Sequence, residues 1–295
     1  MPDEAVTPMR WSIGGVTVTR VVELEMTGGS RFLLPQATPE EVRGIPWLIP
    51  HFADEAGRLR LSVHALVIET PGGRRILVDT CLGNDKQGRK VPHWNARQGR
   101  FLEDLAEAGY PAESIDTVLC THLHVDHVGW NTRLEDGRWV PTFPQARTIF
   151  GRREFEHWSR PDAGDDSQRA VFADSVQPIL DAGLAELVEA DHRLCEEVRL
   201  VPSFGHTPGH VCVHIASGGE EALITGDIAH HPCQLARPDW SSTADSDPVQ
   251  SVATRHAIFG GLAGRPVLVI GTHFAGPTAG RVTRDGEGYR LLVCW

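Results

Sequence analysis

The chain has 295 residues, 41% of them hydrophobic, enough to bury a substantial core in one large or two medium domains. Its 28 Lys and Arg face 39 Asp and Glu, for a formal charge of −11. That balance argues against nucleic acid as a partner, because phosphates repel an acidic surface unless a basic groove compensates, and no long run of like charges marks one.

From the N-terminus, MPDEAVTPMRW carries acids and no apolar run, so it does not read as a signal peptide. No segment approaches the ~20 apolar residues of a membrane helix. The expectation is a soluble, cytoplasmic protein. VTVTRVVEL and SVHALVIET read as strands, and GGRRILVDT follows the second after a Pro-Gly-Gly turn. Between them, SRFLLPQATPEEVRGIPWLIPHF is rich in proline and large apolar residues. It reads as a segment wrapping the core, and alternatively as a pocket wall or the contact of a homodimer. QGRFLEDLAEAG predicts an amphipathic helix ending at Gly109, and PAESIDTVLCTHLH feeds a buried strand with histidines at its end.

DSVQPILDAGLAELVE reads as helical with breaks at Pro178 and Gly183. EVRLVPS, HVCVHIAS, EALITGD and PVLVIGTHF repeat the strand pattern, and a helix with Pro248 in its first turn precedes the last of them. Strands and helices alternate throughout, without repeat or linker. The fold class is therefore α/β, in a single domain over 1–295 with an N-terminal extension of about 60 residues. The six cysteines form no C-x-x-C pair, and several lie in apolar runs, which reads as buried free thiols rather than disulfides.

One stretch carries chemistry. CTHLHVDHVGW crowds His122, His124, Asp126 and His127 together at the end of an apolar run, in a chain with 15 histidines. Two residues apart on extended chain, His122 and His124 point to the same side and can reach one ion. Asp126 and His127 come where the chain turns, and can face a second ion. Three later segments also end apolar runs in ligands: SFGHTPGH offers His206 and His210, LITGD offers Asp227, and VIGTHF offers His273. Ligands collect at strand C-terminal ends in α/β sheets. Spacing leaves His206 and His210 equivalent, although His210 begins a strand and suits a supporting role better.

This set, His-x-His-x-Asp-His followed by His, Asp and His in order, resembles the metallo-β-lactamase superfamily. The resemblance runs from ILVDT through GTHF and implies an αββα four-layer sandwich with metal at the edge of two facing sheets. It implies that His122, His124 and His206 bind one ion, that Asp126, His127 and His273 bind a second, and that Asp227 bridges them. Mixed nitrogen and oxygen ligation without thiolate suits two zinc ions, and manganese, cobalt or iron also fit. Such a pair lowers the pKa of its bridging water from ~16 toward ~7 and polarises a substrate oxygen, so the implied reaction is hydrolysis. Asp79 in ILVDT would hold a metal-bound His from behind.

Among branches, the few residues after His273 leave no room for the helical domain of glyoxalase II-like enzymes. The chain has neither the export signal nor the Cys ligand typical of periplasmic β-lactamases. His124 stands where the di-iron redox branch usually carries Glu. The late first motif and the closing GTHFAGPTAGRV resemble the lactonase and methyl parathion hydrolase branch, so a small-molecule lactone, ester or phosphotriester is the expected substrate, with lactone or ester favoured. A phosphotriesterase-like or β-lactamase-like hydrolase is the alternative. A persulfide dioxygenase-like oxidoreductase and a non-catalytic metal-binding protein are readings from other classes. Where the homoserine lactonases carry a Tyr three residues after the bridging Asp, this chain has His230, followed by His231. Either is expected to donate a hydrogen bond to a substrate oxygen. Trp130, Trp47, Phe32 and Phe52 are candidates for an apolar pocket wall, although aromatic side chains more often pack in a core.

Overall fold

The computed structural model describes residues 8–293. The chain begins with β1 (Arg10–Ile13) and β2 (Val16–Thr27), followed by α1 (Pro39–Arg43), β3 (Arg60–Glu69) and β4 (Arg75–Val78). Next come α2 (Phe101–Glu107), β5 (Thr117–Leu119), α3 (Val125–Val128) and the hairpin β6 (Thr132–Glu135) and β7 (Arg138–Pro141). β8 (Arg147–Gly151), α4 (Arg152–Trp158), α5 (Asp166–Val171), α6 (Gln177–Asp181) and β9 (Ala185–Val188) complete the first half. The second half runs β10 (Val198–Pro202), β11 (Val211–Ser217), β12 (Glu220–Ile224), α7 (Cys233–Ala236), α8 (Pro248–Leu262), β13 (Val267–Ile270), β14 (Ala279–Asp285) and β15 (Gly288–Val293).

Two mixed sheets result, in the orders β1-β2-β3-β4-β5-β8-β9 and β10-β11-β12-β13-β14-β15. Alternation along each strand explains why four layers form. In β3, Leu66 and Ile68 face the layer between the sheets, while Ala65 and Val67 face the helices with Phe101, Leu105 and Ile179. In β11 and β12, Val213, Ile215, Ala222 and Ile224 fill the same middle layer, and Cys212 and Leu223 turn outward. There they meet Phe259 of α8 and the segment from Leu34 to Leu59. The architecture is the αββα sandwich of the metallo-β-lactamase fold.

Register then brings the polar strand ends together. β4 and β5 are parallel with Val78 beside Leu119, so Asp79 and the run from Cys120 to His124 leave the first sheet at one end. β12 and β13 are parallel with Ile224 beside Ile270, so Asp227 and His273 each lie the same distance beyond a paired residue. β10 meets β11 with Pro202 opposite Val211, which puts the loop carrying His206 and His210 at that same edge.

α2 and α8 form as the sequence predicts. Asp247 caps α8 by accepting from the Gln250 N–H at 3.0 Å, ahead of Pro248 in the first turn. The stretch from Asp174 to Glu189 departs from its helical reading. Pro178 does not break the helix, because it sits in the first turn of α6 just after a π-helical turn over Phe172–Val176. Gly183, at a φ of 69°, ends the helix, and Ala185–Val188 extends as β9 beside β8. Pairing at a sheet edge overrides the local pattern there.

Residues 8–60 divide in two: β1 and β2 are strands of the first sheet, and the segment after them covers the second sheet's outer face. The five described cysteines are free, four of them buried, as expected of apolar-run thiols. Among the described residues no helix is long and apolar enough to cross a membrane.

Candidate metal centre

All seven residues that the sequence nominates as ligands converge at this sheet edge. Their ligand atoms form the groups His122–His124–His206, His122–His127–Asp227 and Asp126–His127–His273, each within 4.8 Å of one another. Asp227 is central. Its Oδ2 lies 3.3 Å from His127 Nε2, 3.5 Å from His206 Nε2 and 3.8 Å from His122 Nε2, and its Oδ1 lies 3.2 Å from His273 Nε2. Asp126, in α3, faces His127 and His273 at 3.6 Å each.

The backs of the imidazoles show what their fronts are for. His127 donates Nδ1–H to Asp79 at 2.9 Å, His206 to Asp245 at 2.9 Å, and His273 to the Ser62 carbonyl at 2.9 Å. His122 Nδ1 reaches the Thr121 hydroxyl at 3.1 Å, which itself donates to Asp79. Each of these four rings therefore turns Nδ1 outward to its partner and Nε2 toward the centre. Among the described residues, two buried atoms there, His122 Nε2 and Asp227 Oδ1, have no hydrogen-bond partner. Unsatisfied buried polar atoms are costly, and here a cation would satisfy them. The residues fit metal ions.

Electrostatics divide the rings into two sets. Burial holds His122, His124 and His206 well below the ordinary imidazole range, so they stay neutral and able to ligate. Burial acts the same way on His127 and His273, but the Asp227 carboxylate outweighs it, raising His127 well above its usual range and His273 to about 9. Burial would raise Asp227, yet the surrounding His273, His127 and His230 hold it well below a normal carboxylate. A negative charge ringed by imidazoles attracts cations.

Supporting residues lock this arrangement. Asp79 has a left-handed φ of 58°, unfavourable for a residue other than glycine, and hydrogen bonds from Thr121 and His127 fix it there. His210 is not part of the ring of inward nitrogens: its Nε2 accepts from the Asp227 N–H at 2.8 Å and its Nδ1 bonds Ser203. It is thereby neutral, and burial lowers it to about 4. Gly226 must be glycine, since its φ is 50° and a Cβ would meet His210 Nε2 at 2.4 Å.

The structure separates His230 from His231. His231 turns away: its Nδ1 accepts from the Cys233 N–H at 3.0 Å and its Nε2–H donates to the Phe52 carbonyl at 2.7 Å. Both ring nitrogens are committed, which corrects the expectation that either histidine could serve as donor. His230 points inward, with Nε2 3.2 Å from Asp227 Oδ2.

Above the centre opens a cavity of about 430 Å³ whose walls include Met26, Phe32, Leu33, Val91, Trp94 and Trp158. Of the aromatics nominated from sequence only Phe32 lines it. Trp130 bonds Glu23 at 2.7 Å in the core, Phe52 packs edge-on against His231 and Phe274, and Trp47 covers the outer face of the second sheet. Sequence reasoning missed Trp94, Trp158, Asp245 and Ser62. Asp245 lies three residues ahead of Pro248, outside any apolar run, so no local pattern marks it. Away from the cavity, buried Lys86 reaches Thr132 at 2.7 Å and Arg89 pairs with Asp174 at 2.8 Å.

Residues 58–257 match the metallo-beta-lactamase superfamily. The chain belongs to that superfamily. It is 28% identical over 164 residues to an N-acyl homoserine lactonase of a Bacillus species, covering 52% of this chain and 57% of that protein. The N-acyl homoserine lactonase of Bacillus thuringiensis is 24% identical over 185 residues, covering 58% and 66%. The alignments thus span between a half and two thirds of these curated relatives. Among solved structures, the hydrolase AbOPH superposes with a TM-score of 0.80 at 22% identity, and AidC, a dizinc quorum-quenching lactonase, with 0.78 at 20%. Each covers 99% of both chains. At these identities the superpositions establish the fold.

Proposed function

We propose that this chain is, as a single domain, a binuclear metal-dependent hydrolase of small lactones or esters. The observation that carries this reading is the ring of inward-facing nitrogens around Asp227 at the floor of an apolar cavity. His122, His124 and His206 would hold one ion, Asp126, His127 and His273 the other, and Asp227 both; zinc suits these donors and is present in AidC. Bound ions supply a nucleophilic water at neutral pH and an electrophilic contact for the substrate oxygen.

The chain's own residues do the rest. Asp79, Asp245 and the Ser62 carbonyl keep the imidazoles in the tautomer that leaves Nε2 free. Phe32, Val91, Trp94 and Trp158 would hold the acyl or aryl part of the substrate and exclude water. His230 would donate to the oxygen that gains charge as the bond breaks. The apolar walls favour a neutral ester or lactone over a highly charged substrate, and the homoserine product bound to AidC is in keeping with this.

A panel of aliphatic lactones, aryl esters, phosphotriesters and a cephalosporin, assayed with zinc-loaded protein, tests the proposal. Turnover should be fastest on lactones or esters and lost on chelation. A phosphotriester or cephalosporin turned over faster than every lactone and ester would overturn the substrate class. No turnover of any member would favour a non-catalytic metal-binding role.

A further inference from the structure

Glu154, on α4, has no part in the roles above. Its side chain is buried, with 1% exposure, and forms no ion pair among the described residues. Burying a carboxylate without a cation is unfavourable unless strong hydrogen bonds compensate. Here Oε1 accepts from the Leu123 N–H at 3.1 Å and the Trp158 indole N–H at 2.6 Å, and Oε2 accepts from the Gly209 N–H at 2.8 Å.

The donors identify the task. Leu123 lies between His122 and His124, and Gly209 lies in the loop that carries His206 and His210. The Trp158 ring lines the cavity and sits 5.6 Å from the His124 ring. One carboxylate therefore joins both loops of the His122–His124–His206 trio to the substrate wall. The fit is tight: a Cβ at Gly209 would come within 2.3 Å of the Glu154 backbone nitrogen, so the loop can lie against α4 only with glycine there. A backbone bond from Val211 N–H to the Thr121 carbonyl joins the same two loops. Loss of the carboxylate should thus loosen the loops without unfolding the sheets.

We propose that Glu154 is a positioning residue that sets the spacing between the His122–His124 pair and His206, so that removing its carboxylate selectively weakens metal binding by that trio. The inference rests on the metal reading above. Glu154→Gln is the sharpest variant, since an amide of the same size offers one oxygen and one NH₂ group, and the latter must face an N–H donor.

The readout is a zinc competition titration against a coloured chelator, together with the visible spectrum of the cobalt-loaded protein. Wild type should yield two ions at similar chelator concentrations. Glu154→Gln should release one ion at ~10–100-fold lower chelator, the range typical for losing a partner behind a metal ligand, and retain the other. Trp158→Phe, which spares both loop bonds, should keep both ions. Glu154→Asp keeps the charge but cannot span both loops, and serves if the Gln variant does not fold.

Wild-type resistance in Glu154→Gln overturns the inference, as does parallel weakening of both ions alongside a lowered melting temperature. A wild-type chain that binds no zinc overturns the metal reading instead.

Discussion

Asp227→Ala should release metal and abolish turnover, an effect far larger than that of Asp79→Ala. The difference follows from where each carboxylate stands. Asp227 lies within 3.8 Å of the inward nitrogens of His122, His127, His206 and His273. Without it only Asp126 opposes the charge of two divalent ions, and their mutual repulsion is no longer screened at close range. Asp79 acts through Nδ1 of His127, and loss of such a partner typically costs ~10–100-fold in metal affinity or activity. Metal content and turnover of the two variants, measured side by side, check this. Equal and mild losses would mean that Asp227 does not serve both ions.

His230→Ala should lower turnover by ~10²–10³ while two ions remain bound. Removing one donor to a developing oxyanion typically has that effect, about 3–4 kcal/mol. The ring stands inside the site, 3.2 Å from Asp227 and 4.9 Å from the His206 ring. A slow aliphatic lactone should suffer more than a nitrophenyl ester, whose leaving group needs less assistance. His231→Ala is the contrast. Its ring bonds Phe52 and Cys233, so the change should cost stability and leave turnover per folded molecule near wild type. If His230→Ala kept full turnover on the lactone, the donor would have to be another group. If it lost an ion, His230 would be a ligand, as its nearness to His206 and Asp227 also allows.

The nominated ligands were legible because they are written as a pattern. His122, His124, Asp126 and His127 are nearly contiguous, and each remaining residue ends an apolar run, so strand register alone carries Asp227 and His273 to the same edge. Asp79 was legible for the same reason. What supports and walls the site was not. Glu154, Asp245 and Ser62 act across 31, 39 and 211 positions of sequence, in bonds that no local spacing encodes, and Trp94 and Trp158 reach the cavity only through the fold. The β9 stretch read as helix because its composition suits one, and only the edge of β8 makes it a strand. His231 looked equivalent to His230 until the Phe52 carbonyl, far back in the chain, claimed its proton.

The proposed hydrolase holds two ions at one carboxylate, Asp227. Elemental analysis of purified, fully active protein tests it most directly, paired with chelation and restoration. About two divalent ions per chain are expected, with activity lost on chelation and regained on adding zinc. A fully active sample holding one ion per chain, or activity that survives removal of all metal, would contradict it.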